Sequence, residues 1–466
     1  MEADAAKTDL STCFGCAERD RRIARLEDHV KQLQQQIEAL SRAGKRQSAP
    51  FSRGVPKADP KKPGRKAGED YGTKAFRAVP PVIDEVYDAP RPAQCPRCGG
   101  RQFIDEQIEH QYQVEIPRRP IHRQFNVAVA HCTCCGKRVQ GRHPLQTSDA
   151  LGCCASQMGP QAQAAVVMLN KELGLSQGKI SRFFQGLFGI QLTRGGSCQI
   201  MLRAAQRCEG NYQAIVRRVQ ESPWIVPDET GWRIGGGPAW LHVAVGSGTV
   251  VAYLIARPRG FKGSALLIGQ DYAGTMIHDG YASYDQFRLA LHQTCLAHLL
   301  RRCKELLERA TRRGAVIFPR KVKALLQESL EIRDQRDAGK ISIQAVSAKA
   351  DDLQRRMKSL TRPPRSNALN ERLAAHLHHH LGELFTFLRH PGIDATNHKA
   401  EQAIRPAVVN RKVWGGNRTE AGAAAQSILM SVLFTAIRQG RDALEFLDEL
   451  LRALPTHRPI LLARTG

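Results

Sequence analysis

Apolar positions along this chain follow three rhythms, and each predicts a different kind of element. Near the start, Ile23, Leu26, Val30, Leu33, Ile37 and Leu40 alternate spacings of three and four, with Arg, Gln, Glu and Lys between them. This is the a/d seam of a coiled coil, predicted over 18–41. Fewer than three heptads are marginal as a lone helix in water, so the seam asks for a partner helix. A second copy of the chain is the simplest source; packing on the chain's own domain is the alternative. A period of two takes over in IEHQYQVEIP and FNVAVAHC, which alternate as strands do. Helical periodicity then fills 157–220, in QMGPQAQAAVVMLNKELG, SQGKISRFFQGLFG and TRGGSCQIMLRAAQRCEGNYQAIVRRVQ, each bounded by Gly or by a Ser/Thr cap candidate.

Past 220 the rhythms mix. Ile225 to Asp228 reads as a short buried strand, and RIGG followed by WLHVAVGSGTVVAYLIA predicts two further strands and a hairpin meander. Thr275 to Ile277 predicts another strand, ending at Asp279 and Gly280. From 291 to 390 the pattern is helical throughout, as in LAHLLRRCKELLERA and KVKALLQESLEIRDQRD, so an all-α insertion is expected within a strand-bearing core. Thr396 is a candidate cap for a short helix containing Glu401, which Pro406 would interrupt. A clean apolar stripe, Ile428, Leu429, Val432, Leu433, Ala436 and Ile437, then predicts a core helix stopped at Gly440.

Charge changes the picture. The 466 residues carry 69 Lys plus Arg against 44 Asp plus Glu, a formal +25. Such an excess draws polyanions, and nucleic acid is the first partner to consider; anionic lipid and plain solubility are the bland readings. No apolar run approaches the ~20 residues that span a bilayer, and the start lacks a signal-peptide core, so a cytosolic protein with no membrane partner is expected. The Pro/Gly-rich stretch 42–81 reads as a solvated linker in which Lys61, Lys62, Arg65 and Lys66 would meet phosphates without reading bases, or only keep the spacer extended. In LGLSQGKISRFFQGLFG, Ser176 would cap a recognition helix and Lys179 and Arg182 would face DNA, if the segment is a helix-turn-helix and not plain three-helix packing.

Thirteen cysteines in a cytosolic chain point to metal ligands and buried thiols more than to disulfides. Cys95 and Cys98 in CPRC and Cys132 and Cys135 in CTCC have the spacing of a zinc ribbon over 82–145, with Gly99 and Gly136 allowing the turn after each knuckle. Four protein ligands leave no open position, so one structural zinc ion is expected there. Cys134 is a bystander or a substitute for a neighbouring ligand, and the lone pair Cys13 and Cys16 could join a metal site but is too weak a signal to assign. Cys295 and His298, three apart in CLAH, could orient active-site groups, bind DNA, bind zinc with further partners that the sequence does not name, or simply pack. HLHHH, with His376, His378, His379 and His380, offers a metal reading, but adjacent helical residues point different ways, so a solvated face is preferred.

Two strands that each deliver a carboxylate, Asp228 and Asp279, in so basic a chain ask for a cation between them. Magnesium takes oxygen ligands and, in pairs about 3.5–4 Å apart, stabilises the entering and leaving oxygens of an in-line displacement. Glu401 is the candidate third ligand, with Arg405 one turn on to steady it or a phosphate.

The order of coiled coil, PGRK linker, CPRC and CTCC, PDETGW, HDGYASY, CLAH and TNHKAEQAIRP resembles the insertion sequence sixty-six family of transposases, of the DDE class, over nearly the whole chain. The resemblance implies a ribonuclease-H-like catalytic fold, two Mg²⁺ or Mn²⁺ ions and cutting and joining of double-stranded DNA at element ends and target. It also implies Asp228, Asp279 and Glu401 as the metal-holding acids, with Asn397 matching the family's Asn before the Glu. Where the family commonly carries a second Asn and an Arg around that Glu, this chain has His398 and Gln402. The expected protein is therefore multidomain α+β: coiled coil, β-rich zinc ribbon, helical DNA-binding region over 157–220, catalytic core over 221–290 and 391–440 split by the insertion 291–390, and a C-terminal helix and tail over 441–466. A homodimer or larger assembly through the coiled coil and possible companion transposition proteins complete the expectation. Two rivals remain: a non-catalytic DNA-binding regulator and a nuclease that cuts without joining.

Overall fold

The computed structural model describes residues 22, 23, 25–27, 29, 30, 32–34, 79–104, 108–114, 116, 119–146, 151, 157–310, 312–453, 459 and 461. The linker cations Lys61, Lys62, Arg65 and Lys66, the pair Cys13 and Cys16, and more than half of the predicted coiled coil, Ile37 and Leu40 included, lie outside them. The described residues of 22–34 are helical, with Ile23, Leu26, Val30 and Leu33 all exposed.

The chain divides into two compact units, of which the smaller is Ser52–Arg123. Among its described residues no strand ladder forms, and Ile104, Ile108, Val114, Ile116 and Ile121 are exposed. The strand expected over 108–117 is therefore not realised there: alternation makes a strand only where one face has something to bury against. In the larger unit, β1 (Val129–His131) and β2 (Arg138–Gln140) pair antiparallel and hold CTCC in the turn between them.

Three helices follow, α1 (Pro160–Lys171), α2 (Gln177–Phe188) and α3 (Arg194–Gln220), as the periodicity predicts. Ser176 is indeed the N-cap residue of α2, and the left-handed Gly189 (φ 66°) ends it. Lys179 and Arg182 are exposed on this helix while Ile180 and Phe184 are buried.

The centre is a five-stranded sheet made of β3 (Trp224–Ile234), β4 (Gly237–Gly246), β5 (Val251–Ala256), β6 (Thr275–His278) and β7 (Leu291–Thr294). Its spatial order is β5-β4-β3-β6-β7. The first three strands form the expected antiparallel meander, and β6 and β7 run parallel to β3. A short helix α4 (Phe261–Ile268) leads from β5 to β6. Strand β7 lies where the helical insertion was expected to start; four residues carry too little periodicity to separate it from the helix that follows.

Alternate strand residues feed two cores. Val226, Trp232, Leu241, Val243, Tyr253 and Ile277 pack with the insertion helices α5 (Leu296–Arg309), α6 (Ile317–Asp337), α7 (Ile343–Thr361), α8 (Ala368–His379) and α9 (Thr386–Arg389), and with α10 (His398–Trp414). Ile225, Ala244, Ala252 and Met276 pack on the opposite side with α1, α3, α4, α11 (Glu420–Arg438) and α12 (Ala443–Arg452). The sheet is thus a middle layer, which is why its strands read as near-continuous apolar runs.

Helix α11 buries the apolar stripe except for Ile437, which is exposed at the helix end, and adds a polar one. Ser427, Ser431 and Thr435, four apart, accept from the backbone N–H groups of Ile255, Tyr253 and Val251 at 2.9, 2.8 and 3.2 Å. These hydroxyls satisfy the edge of β5, which would otherwise expose unpaired donors. By length and composition α11 could also cross a membrane, but most of it is buried in the protein.

One expectation fails at α10. Pro406 does not interrupt this helix, which runs on to Trp414, and the N-cap position belongs to Asn397, not Thr396. Ala400, Ala403, Ile404, Ala407 and Asn410 are buried on one face, so packing holds the helix through a residue that disfavours it locally.

Candidate active site

Asp228 lies in the middle of a long strand, paired with Val243 of β4, and not at the strand's mouth as the sequence suggests. Strand β6 pairs with β3 only at Trp224 and Ile225, opposite Thr275 and Met276. Three residues beyond the Ile225–Met276 pair, on each parallel chain, come Asp228 and Asp279. The register therefore brings the two acids level where β6 ends. Being an odd number of residues from Ile225, Asp228 belongs to the same face as Val226, the face on which α10 packs. Glu401 sits in the first turn of α10, where the positive end of the helix dipole favours a carboxylate.

Electrostatics reports the convergence. The Asp228 carboxyl is pushed up to about 7, first by burial and then by the negative charges of Asp279, Glu401 and Glu229, against the stabilising N–H of Glu229. A buried carboxyl that neighbouring negative charges raise further favours a cation beside it. The donors are hard carboxylate oxygens, so the residues fit Mg²⁺ or Mn²⁺ better than a thiophilic metal.

Cys295 and His298 brace this arrangement. Cys295, the residue before α5, donates its N–H to the carbonyl of His278 (2.7 Å), the residue before Asp279, and its Sγ accepts from the N–H of Asn397 at 3.3 Å. Leu296 N–H donates to Ala395 O at 2.9 Å. The short segment thus ties the end of β6 to the start of the Glu401 helix. Burial pushes the Cys295 thiol up, so it serves as a neutral acceptor. His298 Nε2 stands 3.5 Å from Glu401 Oε1. Asn397 is buried and Arg405 exposed, so the ion partner of Glu401 is His298 and not Arg405.

Sequence reasoning missed the rim. Arg259 Nε donates to Glu229 Oε1 at 3.0 Å, and its guanidinium lies over the rings of Trp240 (4.2 Å) and Tyr281 (5.0 Å). Tyr281 in turn donates its N–H to Asp279 Oδ1 at 2.9 Å. A half-exposed cation on two aromatic rings beside the acids is suited to a phosphate or a base. The RPRG segment before α4 carried no periodic signal that would have singled it out.

The histidine run also departs from expectation. His378 and His379 are exposed, but His380 is buried and His376 half-buried against Gly280. Helix α8 ends at His379, so His380 leaves the helical path and turns inward. His380 Nδ1 and Thr294 Oγ1 both bond Glu383 Oε2, each at 2.9 Å. His278 lies 3.8 Å from the same oxygen, and burial takes it down to about 3, so it stays neutral.

The two cysteine knuckles have matching turns. Cys95 N–H bonds Gly100 O and Gly99 N–H bonds Cys95 O; Cys132 N–H bonds Lys137 O and Gly136 N–H bonds Cys132 O, all at 2.8–2.9 Å. Gly99 (φ 75°) and Gly136 (φ 69°) take the left-handed conformation the turn needs. Backbone amides, led by those of Arg97 for Cys95 and of Cys135 for Cys132, hold both thiols below their usual range, toward the ligating thiolate.

With the geometry in hand, comparison with known families is decisive: the model of the Transposase IS66 family matches residues 155–425, more than half of the chain and all three candidate acids. The chain belongs to the IS66 family of transposases. No curated protein matches it. The family match starts at the helices α1–α3 and ends within α11, so the insertion helices lie within the matched span as the sheet does. It leaves out both cysteine knuckles and the N-terminal seam of this transposase.

Proposed function

We propose that this IS66-family chain is a DDE transposase that cuts DNA at the ends of an insertion sequence and joins the freed 3′ ends to target DNA, on a ribonuclease-H-like core. The observation that carries the reading is geometric: the β3–β6 register levels Asp228 with Asp279, and Cys295 ties the end of β6 to the start of the helix that carries Glu401. The mixed sheet covered by helices on both faces supports the fold reading.

In this reading Asp228, Asp279 and Glu401 hold two Mg²⁺ or Mn²⁺ ions. Such ions, when bound, supply positive charge to the phosphate and to the entering and leaving oxygens of the displacement. His298 orients Glu401, and Cys295 fixes the separation of the β6 end from α10. Arg259, on its aromatic platform, binds a phosphate or stacks on a base at the rim. Lys179 and Arg182 on α2 contact the duplex, as do Lys61, Lys62, Arg65 and Lys66. No side chain forms a covalent intermediate with DNA.

The cysteine turns support structural zinc ligation by Cys95 and Cys98 and by Cys132 and Cys135, each pair taken within its own unit, and the exposed seam residues Ile23, Leu26, Val30 and Leu33 support assembly of two or more copies. A strand-transfer assay with labelled element ends, target DNA and Mg²⁺ or Mn²⁺ tests the reading. The transposase gives nicked ends and joined products, and Asp228→Asn, Asp279→Asn or Glu401→Gln binds ends but yields neither. Nicks without joints would make it a nuclease, and metal-independent binding with no product a regulator.

A further inference from the structure

The loop after β6 makes one turn of 3₁₀ helix, Tyr284–Gln286, and thereby presents Asp285 to the end of α8. Asp285 Oδ2 lies 2.8 Å from His379 Nε2, and ligating atoms of Asp285, His379 and His380 all lie within 4.8 Å of one another. Two imidazole nitrogens and one carboxylate oxygen within that span form the mixed donor set that zinc takes. Because α8 stops at His379, the two consecutive histidines are not held on diverging directions of one helix, which is what lets both reach Asp285.

Two further features separate this cluster from an ordinary surface ion pair. His380 Nδ1 is 2.9 Å from Glu383 Oε2, so its ring is oriented by a carboxylate with Nε2 left to bind elsewhere, the arrangement found behind metal-bound histidines. Asp285 Oδ1 is buried and has no hydrogen-bond partner, and neither has His376 Nε2, whose ring centroid is 4.5 Å from that of His380. Buried polar atoms without partners are uncommon and call for a ligand or another explanation.

We propose that Asp285, His379 and His380 form a zinc site that clamps the loop following Asp279 to the end of the helical insertion. Through Glu383, which also bonds Thr294 of β7 and faces His278 of β6, an ion on His380 stiffens the strand end that carries Asp279. The site is distinct from the three acids and from the cysteine knuckles, and it stands whether or not the chain cuts DNA.

The test is zinc content per chain, measured by mass spectrometry on the full-length protein after equilibration with zinc and removal of loosely held metal. His379 is largely exposed, so His379→Ala leaves the fold intact; it should hold one zinc fewer per chain than the wild type. Asp285→Asn should lose the same equivalent, and the exposed His390→Ala none. His379→Cys should retain it, because a thiolate ligates zinc as well as an imidazole does while breaking the ion pair with Asp285. Equal zinc in the wild type and His379→Ala would overturn the proposal, as would loss of the equivalent in His379→Cys.

Discussion

The end of β6 serves two neighbourhoods that use the same residue types to opposite effect. On one side Asp279 joins Asp228 and Glu401, and burial, with these neighbouring acids adding to it, pushes the Asp228 carboxyl up to about 7. On the other, one residue earlier, His278 joins His292, His380 and Glu383, and imidazoles flank a single acid: against burial, the His380 hydrogen bond holds the Glu383 carboxyl below its usual range. The first neighbourhood is electrostatically incomplete by itself, whereas the second is largely self-neutralised. The difference teaches that a buried carboxylate marks a candidate reaction site when its nearest charges share its sign, and a structural one when they do not.

The strongest way to break this comparison is activity. Asp228→Asn should lower strand transfer by about 10³-fold or more, by loss of charge that acts in the transition state, while end binding stays near the wild-type level. Near-normal product from Asp228→Asn would remove the first neighbourhood from the chemistry.

Stability should move the other way. A carboxyl whose folded value lies above its unfolded value of 3.8 holds its proton longer in the folded state, so its contribution falls as pH rises from about 4 to about 7. Without divalent ions, Asp228→Asn should therefore be more stable than the wild type at pH 8, by at most about 4 kcal/mol, and no different at pH 4. Denaturant titrations at the two pH values decide it, and a destabilised variant at pH 8 would mean that the acids are already neutralised by the fold.

Glu383→Gln sharpens the second half of the comparison. It should cost about 1–3 kcal/mol near neutral pH by leaving His380 and Thr294 poorly satisfied. Because the folded value of Glu383 is lowered, that penalty should fade as pH falls through the carboxylate range. A penalty that does not change with pH would show that shape, not charge, holds this cluster. The smallest effect belongs to His298→Ala, whose partly exposed pair with Glu401 should contribute under about 1 kcal/mol to stability. A reduction in product by this variant that exceeds its effect on folding would identify His298 as a positioning residue.

Much of the framework was legible because it rests on local periodicity. The meander β3–β4–β5, the strand ending near Asp279, the three helices before the sheet and the apolar stripe of α11 all follow from apolar spacing and glycine stops. The misses have a common cause. Helix α10 survives Pro406 because its buried alanines pack on the sheet; β7 is too short to show a period; the 108–117 alternation had no partner face; and His380 turns inward only because α8 ends one residue earlier. Each depends on a neighbour distant in sequence.

The chain alone therefore determined most of the strands and helices of the larger unit, the family resemblance, and the acids worth naming, since side-chain chemistry and spacing are local properties. Only the tertiary structure decided that β3 and β6 pair in a register that levels Asp228 with Asp279, that Cys295 links the β6 end to the Glu401 helix, and that Asp285 meets His379. Register and long-range contact are fixed by what each face can bury, and that is settled jointly by residues tens to hundreds of positions apart.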